Sequence, residues 1–380
     1  MTRVVYAEAG IRSVELSGDE RANSRRGGRE ACRWESWAVG VLDGDHASAG
    51  ETPLVRVRLP ATPDVDIYFK DESAHLTGSL KHRLARSLFL YGLCNGRIGP
   101  GTPVVEASSG STAVSVAYFA QALGLAFHAV MPKTTSPRKL EAITAYGGVC
   151  HLVERGDQIY AEAKALAEAL GGIYLDQFTY AERVSDWRRD NVGAALFDQM
   201  HGQRHPVPSW FVMSLGTGGT AATIGRFIRY RGHDTRLCAV DVEHSAFFEC
   251  FESGDRSARC ASASRIEGVG RPRVEPSFVP EVIDEMIKAP DTASIAAMRV
   301  LSDLLGRRVG PSTGANFVGV GRIARRMQAE GQTGSVVSLI CDSGERYTDT
   351  YYNDAWLAAQ SLDFATCEQR LRLLVGQDAD

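Results

Sequence analysis

The chain has 380 residues and a formal net charge of -4, and 23% of its residues are charged. This length predicts about two domains and a hydrophobic core that needs no disulfide or metal to fold. The balanced charge, with no basic stripe and no acidic tail, argues against a nucleic-acid partner and against disorder.

The eight cysteines form no CxxC motif and no metal-ligand spacing. We therefore expect reduced thiols and no metal site. There is no apolar signal core at the N-terminus, and the longest apolar stretch, 113–131, is interrupted by Gln121, Gly124 and His128. No membrane segment is expected, and the sequence predicts a cytoplasmic protein.

Residues 1–50 are predicted to be an irregular extension, with a mobile Gly- and Arg-rich stretch at 21–30. Trp34 and Trp37 are expected to anchor it by packing. From residue 52 onward, short apolar runs alternate with helical patterns, which predicts an α/β fold with parallel sheets flanked by helices. The predicted strands are 67–70, 104–107, 127–131, 149–153, 173–178, 210–215, 237–242 and 336–341. The predicted helices are 79–94, 111–123, 136–146, 161–170 and 217–230.

Lys81 follows a turn-forming Thr77-Gly78-Ser79 and begins an apolar helix. The positive helix end and partial burial both disfavour the ammonium form, and a lysine with a lowered pKa can form a Schiff base. A surface lysine at a helix start is the ordinary alternative.

Three further segments lie at strand ends. The loop at 106–112 offers hydroxyls and N–H groups at a helix N-terminus, which suits a carboxylate. The loop at 214–220 is rich in glycine and suits a phosphate. Ser343, after the last strand, could hydrogen-bond a ring nitrogen without protonating it. Alone, each segment also fits a capped helix or an ordinary turn.

The second loop has a rival interpretation. Gly216, Gly218 and Ala221 fit a dinucleotide fingerprint, and Asp241 lies near the end of the next strand, where a ribose-binding acid is expected. A nicotinamide-dependent dehydrogenase is therefore an alternative, although it leaves Lys81 and Ser343 unexplained.

In this order, over residues 50–350, the four segments resemble the pyridoxal-phosphate enzymes of the cysteine synthase and cystathionine β-synthase family (fold type II, tryptophan synthase β-like). The stretches at 75–96, 106–121 and 174–183 look most like the bacterial L-cysteine desulfhydrase branch. The resemblance departs from the family pattern at three positions: Ser111 replaces an asparagine, Leu76 a proline and His82 an acidic residue.

The resemblance implies that Lys81 binds pyridoxal 5'-phosphate as a Schiff base and moves the substrate's α-proton. The other implied cofactor contacts are Ser111, Gly216, Thr217, Gly218, Gly219, Thr220 and Ser343. The implied substrate contacts are Ser108, Ser109, Gly110, Thr112 and Gln177 for the α-carboxylate, and Gly268 in a loop near the amine.

The resemblance also implies the domain organisation. Residues 51–84 and 181–350 would form a larger domain that binds the cofactor phosphate, and residues 85–180 a smaller domain with the substrate loop. Residues 1–50 would be an extension and 351–380 a C-terminal helical segment. A homodimer is implied.

The expected reaction is β-elimination on L-cysteine, which gives sulfide, pyruvate and ammonia. β-Replacement on cysteine or an activated serine is the alternative, because the same site can perform either reaction. A non-catalytic binding protein is a third, weaker possibility.

Overall fold

The computed structural model describes residues 3–6, 12–15 and 18–376, with side chains from residue 31 onward. The strands are β1 Arg3–Tyr6, β2 Arg12–Glu15, β3 Leu54–Val57, β4 Val65–Asp71, β5 Val104–Ala107, β6 Phe127–Pro132, β7 Val149–Val153, β8 Ile173–Tyr174, β9 Trp210–Ser214, β10 Arg236–Val242, β11 Glu285–Ala289 and β12 Gly334–Ile340. The helices are α1 Gly18–Ala49, α2 Lys81–Cys94, α3 Ser111–Ala122, α4 Pro137–Thr144, α5 Ile159–Ala169, α6 Gln177–Val184, α7 Val192–Met200, α8 Gly219–Arg231, α9 Phe247–Ser253, α10 Asp291–Leu305, α11 Pro311–Ala329, α12 Asp354–Ala359 and α13 Ala365–Leu374.

The larger sheet has six strands in the order β11-β10-β9-β12-β4-β3. Its strands run parallel, except that β3 pairs antiparallel with β4 at one edge. Strands β4 and β12 are buried along their whole length. Ile67 and Phe69 enter one hydrophobic cluster and Tyr68 enters another, because alternate side chains of a strand point to opposite faces. Both faces of this sheet are therefore covered, as the sequence predicts.

The smaller sheet has four parallel strands in the order β7-β6-β5-β8. Helices α2 and α3 pack against one face and contribute more residues to its hydrophobic cluster than the other helices do. Helix α5 packs Ala163 and Ala167 against Val105 and Val130 on the other. We propose that the two sheets are the cores of the two domains implied by the resemblance.

The N-terminal segment differs from the prediction. Residues 18–49 form one long helix, and the stretch at 21–30 lies within it, so the prediction of an irregular extension is wrong for these residues. Ala38 and Leu42, four residues apart, are buried against the cluster that contains α2. Trp34 packs beside them, whereas Trp37 is 48% exposed and its ring lies 6.1 Å from that of Trp34. Residues 1–2, 7–11 and 16–17 lie outside the described residues.

The predicted strand 173–178 ends early for a local reason. Asp176 adopts a left-handed conformation with φ 52° and accepts a hydrogen bond from the N–H of Thr179 at 3.2 Å. It therefore caps α6, which begins at Gln177. Strands β3 and β11, at the two edges of the larger sheet, were not predicted.

Candidate active site

A cavity of about 440 Å³ lies between the two sheets, at the carboxyl ends of their strands. Ala107 ends β5, Ser214 ends β9 and Cys341 follows β12, and all three line this cavity. Ligands bind at this edge of open parallel sheets, because helix N-termini and connecting loops converge there.

Lys81 is the first residue of α2 and lines the cavity. The preceding turn is tied to the larger sheet, since the N–H of Leu80 donates to the carbonyl of Cys341 at 2.8 Å. Gly78 permits this turn with φ 69°. Burial lowers the pKa of the Lys81 ammonium, and the nearby Cys341 and Asp342 oppose the shift. The structure thus places an amine that loses its proton readily at the cavity wall.

The loop between β5 and α3 brings the predicted carboxylate-binding residues to the same cavity. Ser108, Ser109, Gly110, Ser111 and Thr112 all line it, as does Gln177. The Thr112 hydroxyl donates to Oε1 of Gln177 at 2.7 Å, so the two predicted substrate contacts are joined. The amide of Gln177 donates in turn to buried Glu106 at 3.2 Å.

Ser111 is held by charged neighbours rather than by its own loop. Its hydroxyl donates to Oδ2 of Asp342 at 3.3 Å and accepts a hydrogen bond from Arg346 at 2.8 Å. Tyr347 also donates to Asp342, at 2.6 Å. Burial raises the pKa of the Asp342 carboxyl, although Arg346 and Tyr347 oppose the shift.

The glycine loop between β9 and α8 is built for close backbone contact. A Cβ on Gly216 would lie 2.4 Å from the carbonyl oxygen of Gly268, and one on Gly218, at φ 89°, would lie 2.8 Å from Cα of Phe278. Gly216, Thr217, Gly218 and Thr220 line the cavity. Helix α8 begins at Gly219, and Thr220 and Ala221 of its first turn line the cavity, so the positive end of the helix lies at the cavity.

Two predicted cofactor residues do not line this cavity. Gly219 packs against Ala181, to which a Cβ would come within 2.6 Å. Ser343 accepts a hydrogen bond from the N–H of Glu345 at 3.3 Å and caps a short 3-10 turn. The backbone of Ser343 pairs with Val309, and its N–H donates to the carbonyl of Gly78 at 3.0 Å, so the residue lies beside the Lys81 turn but outside the cavity lining.

Ser312, which was not predicted, is buried and lines the cavity together with the buried serines Ser79 and Ser214. It lies in the first turn of α11, directly after Pro311 at the first helical position. The signal was present in Gly310-Pro311-Ser312-Thr313-Gly314, a proline-initiated helix start followed by hydroxyl residues.

Two charged residues that line the cavity, Lys139 and Arg271, were not predicted, and a third, Glu267, lies in the loop at 266–270 that the resemblance places near the substrate amine. Nζ of Lys139 lies 2.7 Å from Oε2 of Glu267. The Arg271 guanidinium lies 4.3 Å from the centre of the Phe178 ring. These contacts join segments that are far apart in the chain, so no local sequence pattern predicts them.

A family model for pyridoxal-phosphate dependent enzymes matches residues 47–342. The chain belongs to this family. It is 55% identical over 335 residues to "L-cysteine desulfhydrase Cds1" of Mycobacterium tuberculosis, which covers 87% of this chain and 91% of that protein. It is 30% identical to "N-(2-amino-2-carboxyethyl)-L-glutamate synthase" of Cupriavidus metallidurans, over 82% of this chain and 90% of that one.

Solved structures give the same fold. The crystal structure of O-ureido-L-serine synthase is similar with a TM-score of 0.71 and 27% identity, over 84% of this chain and 98% of that chain. The fold is therefore α/β of fold type II, and the cofactor is pyridoxal 5'-phosphate.

The dehydrogenase interpretation of the glycine loop is wrong. Asp241 is fully buried, and its Oδ2 accepts the N–H of Phe248 at 2.8 Å, so it does not present an acid to a ribose.

The cavity residues fit this cofactor. A phosphate needs N–H donors without side chains in the way, and the loop at Gly216 and Gly218 leaves no room for a Cβ. A Schiff base needs an unprotonated amine, and burial favours that form at Lys81.

Among the described residues no helix is long and apolar enough to cross a membrane, and no group of three or more His, Cys, Asp or Glu could hold a metal ion.

Proposed function

We propose that the protein catalyses pyridoxal-phosphate-dependent β-elimination on L-cysteine, which gives sulfide, pyruvate and ammonia. The observation that carries the proposal is the 55% identity to a cysteine desulfhydrase over 87% of the chain. The cavity supports it, because a lysine with a lowered pKa lies among residues suited to a phosphate and a carboxylate.

We assign the roles by position in the cavity. Lys81 would bind the cofactor as a Schiff base. Gly216, Thr217, Gly218 and Thr220, at the N-terminus of α8, would bind its phosphate. Residues 108–112 and Gln177 would bind the α-carboxylate of the substrate. Ser312, in place of Ser343, would contact the pyridine nitrogen, because Ser312 lines the cavity and Ser343 does not.

When bound, the cofactor supplies an electron sink for the negative charge that develops at the substrate's α-carbon. The protein supplies position and proton transfer. Lys81 lies at the cavity wall with a lowered pKa and would act as the base that takes the α-proton. The carboxylate-binding loop would hold the substrate with its α-carbon within reach of Lys81, and the thiolate would leave from the β-carbon.

β-Replacement remains the second candidate. A specific observation favours it: relatives at 30% identity are synthases that form amino acids, among them "O-ureido-L-serine synthase" of Streptomyces lavendulae. Both reactions use the same first steps, so the candidates differ in the fate of the three-carbon product.

The test is to supply L-cysteine to the purified, cofactor-loaded enzyme and to quantify sulfide and pyruvate. Equal amounts of the two products support elimination. Sulfide without pyruvate, with a new amino acid when a second substrate is present, supports replacement. The Lys81→Ala variant should lose turnover, and full activity in that variant contradicts the assignment of Lys81.

A homodimer and a cytoplasmic location are also proposed, on the family resemblance. Size-exclusion chromatography with light scattering tests the first, since a dimer has about twice the 41.2 kDa mass of one chain.

A further inference from the structure

We propose that the ion pair between Lys139 and Glu267 closes the mouth of the cavity and favours elimination over replacement. The proposal rests on the proposed function and names the residues that determine which of the two reactions this site performs. Both residues line the cavity, and their side chains remain 22% and 31% exposed. A residue that lines a cavity and also reaches solvent lies where the cavity opens.

The pair joins parts of the molecule that belong to different sheets. Lys139 lies on α4, whose Ile143 is buried in the cluster of the smaller sheet. Glu267 lies in a loop fixed to the larger sheet, because the N–H of Gly270 donates to the carbonyl of Leu215 at 2.8 Å. The Nζ–Oε2 distance of 2.7 Å therefore bridges the opening from one sheet to the other.

Neighbouring contacts hold both ends of the bridge. The Tyr351 hydroxyl donates to the carbonyl of Arg265 at 2.6 Å and accepts the N–H of Glu267 at 3.2 Å. On the other side, Arg138 donates to the carbonyl of Glu345 at 2.9 Å and forms an ion pair with Asp349 at 3.2 Å. Two consecutive side chains of α4 thus cross the opening, and of these two only Lys139 lines the cavity.

The chemistry explains why closure matters. In elimination, cysteine and water give pyruvate, ammonia and hydrogen sulfide. In replacement, a thiol gives a thioether and hydrogen sulfide: one carbon–sulfur bond breaks, one forms, and the proton of the thiol passes to the departing sulfide. Neither reaction needs an oxidant or reductant. Replacement requires a second molecule to enter before the three-carbon product leaves, so a closed mouth suppresses it.

The experiment uses full-length holoenzyme with L-cysteine and 2-mercaptoethanol as the second thiol. Sulfide reports both reactions, pyruvate reports elimination and the thioether reports replacement. Glu267→Gln and Lys139→Gln keep side-chain size and remove one charge each. We expect the thioether share of total product to rise about two- to fivefold in either variant. The effect is modest because an ion pair that solvent reaches contributes little free energy.

Two controls make the result specific. The charge-reversed variant K139E/E267K should return the share toward the wild-type value, because the pair is restored with opposite polarity. Glu154→Gln breaks an exposed ion pair with Lys133 at 2.9 Å, where β6 and β7 of the smaller sheet end. Neither residue lines the cavity, so this variant should leave the thioether share unchanged. Raising the salt concentration should increase the share in the wild type but not in Lys139→Gln, since salt weakens exposed ion pairs.

The outcomes separate the two proposals. Sulfide release with a thioether share that neither single variant changes overturns the role of the pair and leaves the desulfhydrase function standing. A wild-type enzyme that releases no sulfide from L-cysteine overturns the proposed function, and the role of the pair with it. A raised share that the charge reversal does not lower overturns the ion pair as the cause.

Discussion

The carboxylate of Asp45, near the end of α1, lies 2.8 Å from Nε2 of His82, the residue that follows Lys81. The other oxygen of Asp45 accepts a hydrogen bond from the Tyr118 hydroxyl at 2.6 Å. His82 is buried and stacks on His75, with ring centres 4.9 Å apart. The N-terminal helix is thus joined to the helix that carries the candidate Schiff-base lysine.

Asp45→Ala should destabilise the protein and weaken cofactor binding. The substitution leaves His82 and the Tyr118 hydroxyl without their acceptor in a largely buried setting, which costs about 1–3 kcal/mol. Chemical denaturation and titration with pyridoxal phosphate measure the two effects. Asp43→Ala is the control, because Asp43 forms an exposed pair with Arg86 and should cost less than about 1 kcal/mol. Equal stability of the two variants would contradict the anchoring role of Asp45.

Gly218→Ala should impair both folding and cofactor affinity. The residue has φ 89°, and the new Cβ would meet Cα of Phe278 at 2.8 Å, where backbone cannot yield easily. The left-handed conformation costs about 1 kcal/mol, and overpacking adds about 1–3 kcal/mol. Gly232→Ala is the matched control, since it has φ 66° with open space around it. If the two variants lose the same stability, the close packing of the Gly218 loop is not what requires glycine.

Ser312→Ala should change the absorption band and the affinity of the bound cofactor, whereas Ser343→Ala should leave both near their wild-type values. Ser312 is buried and lines the cavity, and Ser343 caps a 3-10 turn outside the lining. Titration of the apoenzyme with pyridoxal phosphate gives both quantities. The reverse result, with only Ser343→Ala affected, would restore the role implied by the family resemblance.

Glu106→Gln should flatten part of the pH dependence of stability. Burial raises the pKa of Glu106 from 4.5 to about 8 in the folded protein, with Asp176 adding to the shift. Between pH 4.5 and about 8 the folded state therefore binds more protons than the unfolded state, so the free energy of unfolding falls as pH rises. Glutamine keeps the shape of the neutral acid and cannot ionise.

Denaturation of wild type and variant at several pH values checks this. The stability advantage of Glu106→Gln should be small near pH 4.5 and grow toward pH 8, to the order of a few kcal/mol. Glu154→Gln, at an exposed position, should follow the wild-type curve. A constant difference at all pH values would show that Glu106 ionises normally in the folded protein.

The sequence by itself determined the fold class and most of the candidate cavity residues. Both follow from local patterns: alternating strand and helix runs predict parallel sheets, and glycine and hydroxyl loops at strand ends predict anion sites. Thus Lys81 and Gly216 were predicted from local patterns and Gln177 from the family resemblance, and the structure brings all three to one cavity.

Only the tertiary structure decided the contacts between distant segments. α1 was missed because its polar composition hides the few apolar residues that dock it, and Asp45 meets His82 only after that docking. Ser312 and Ser343 are both serines near strand or helix ends, and only the folded structure shows that Ser312 lines the cavity and Ser343 does not. Lys139 and Glu267 lie 128 residues apart, 267 minus 139, and only the packing of α4 beside the loop of the larger sheet brings their charges together.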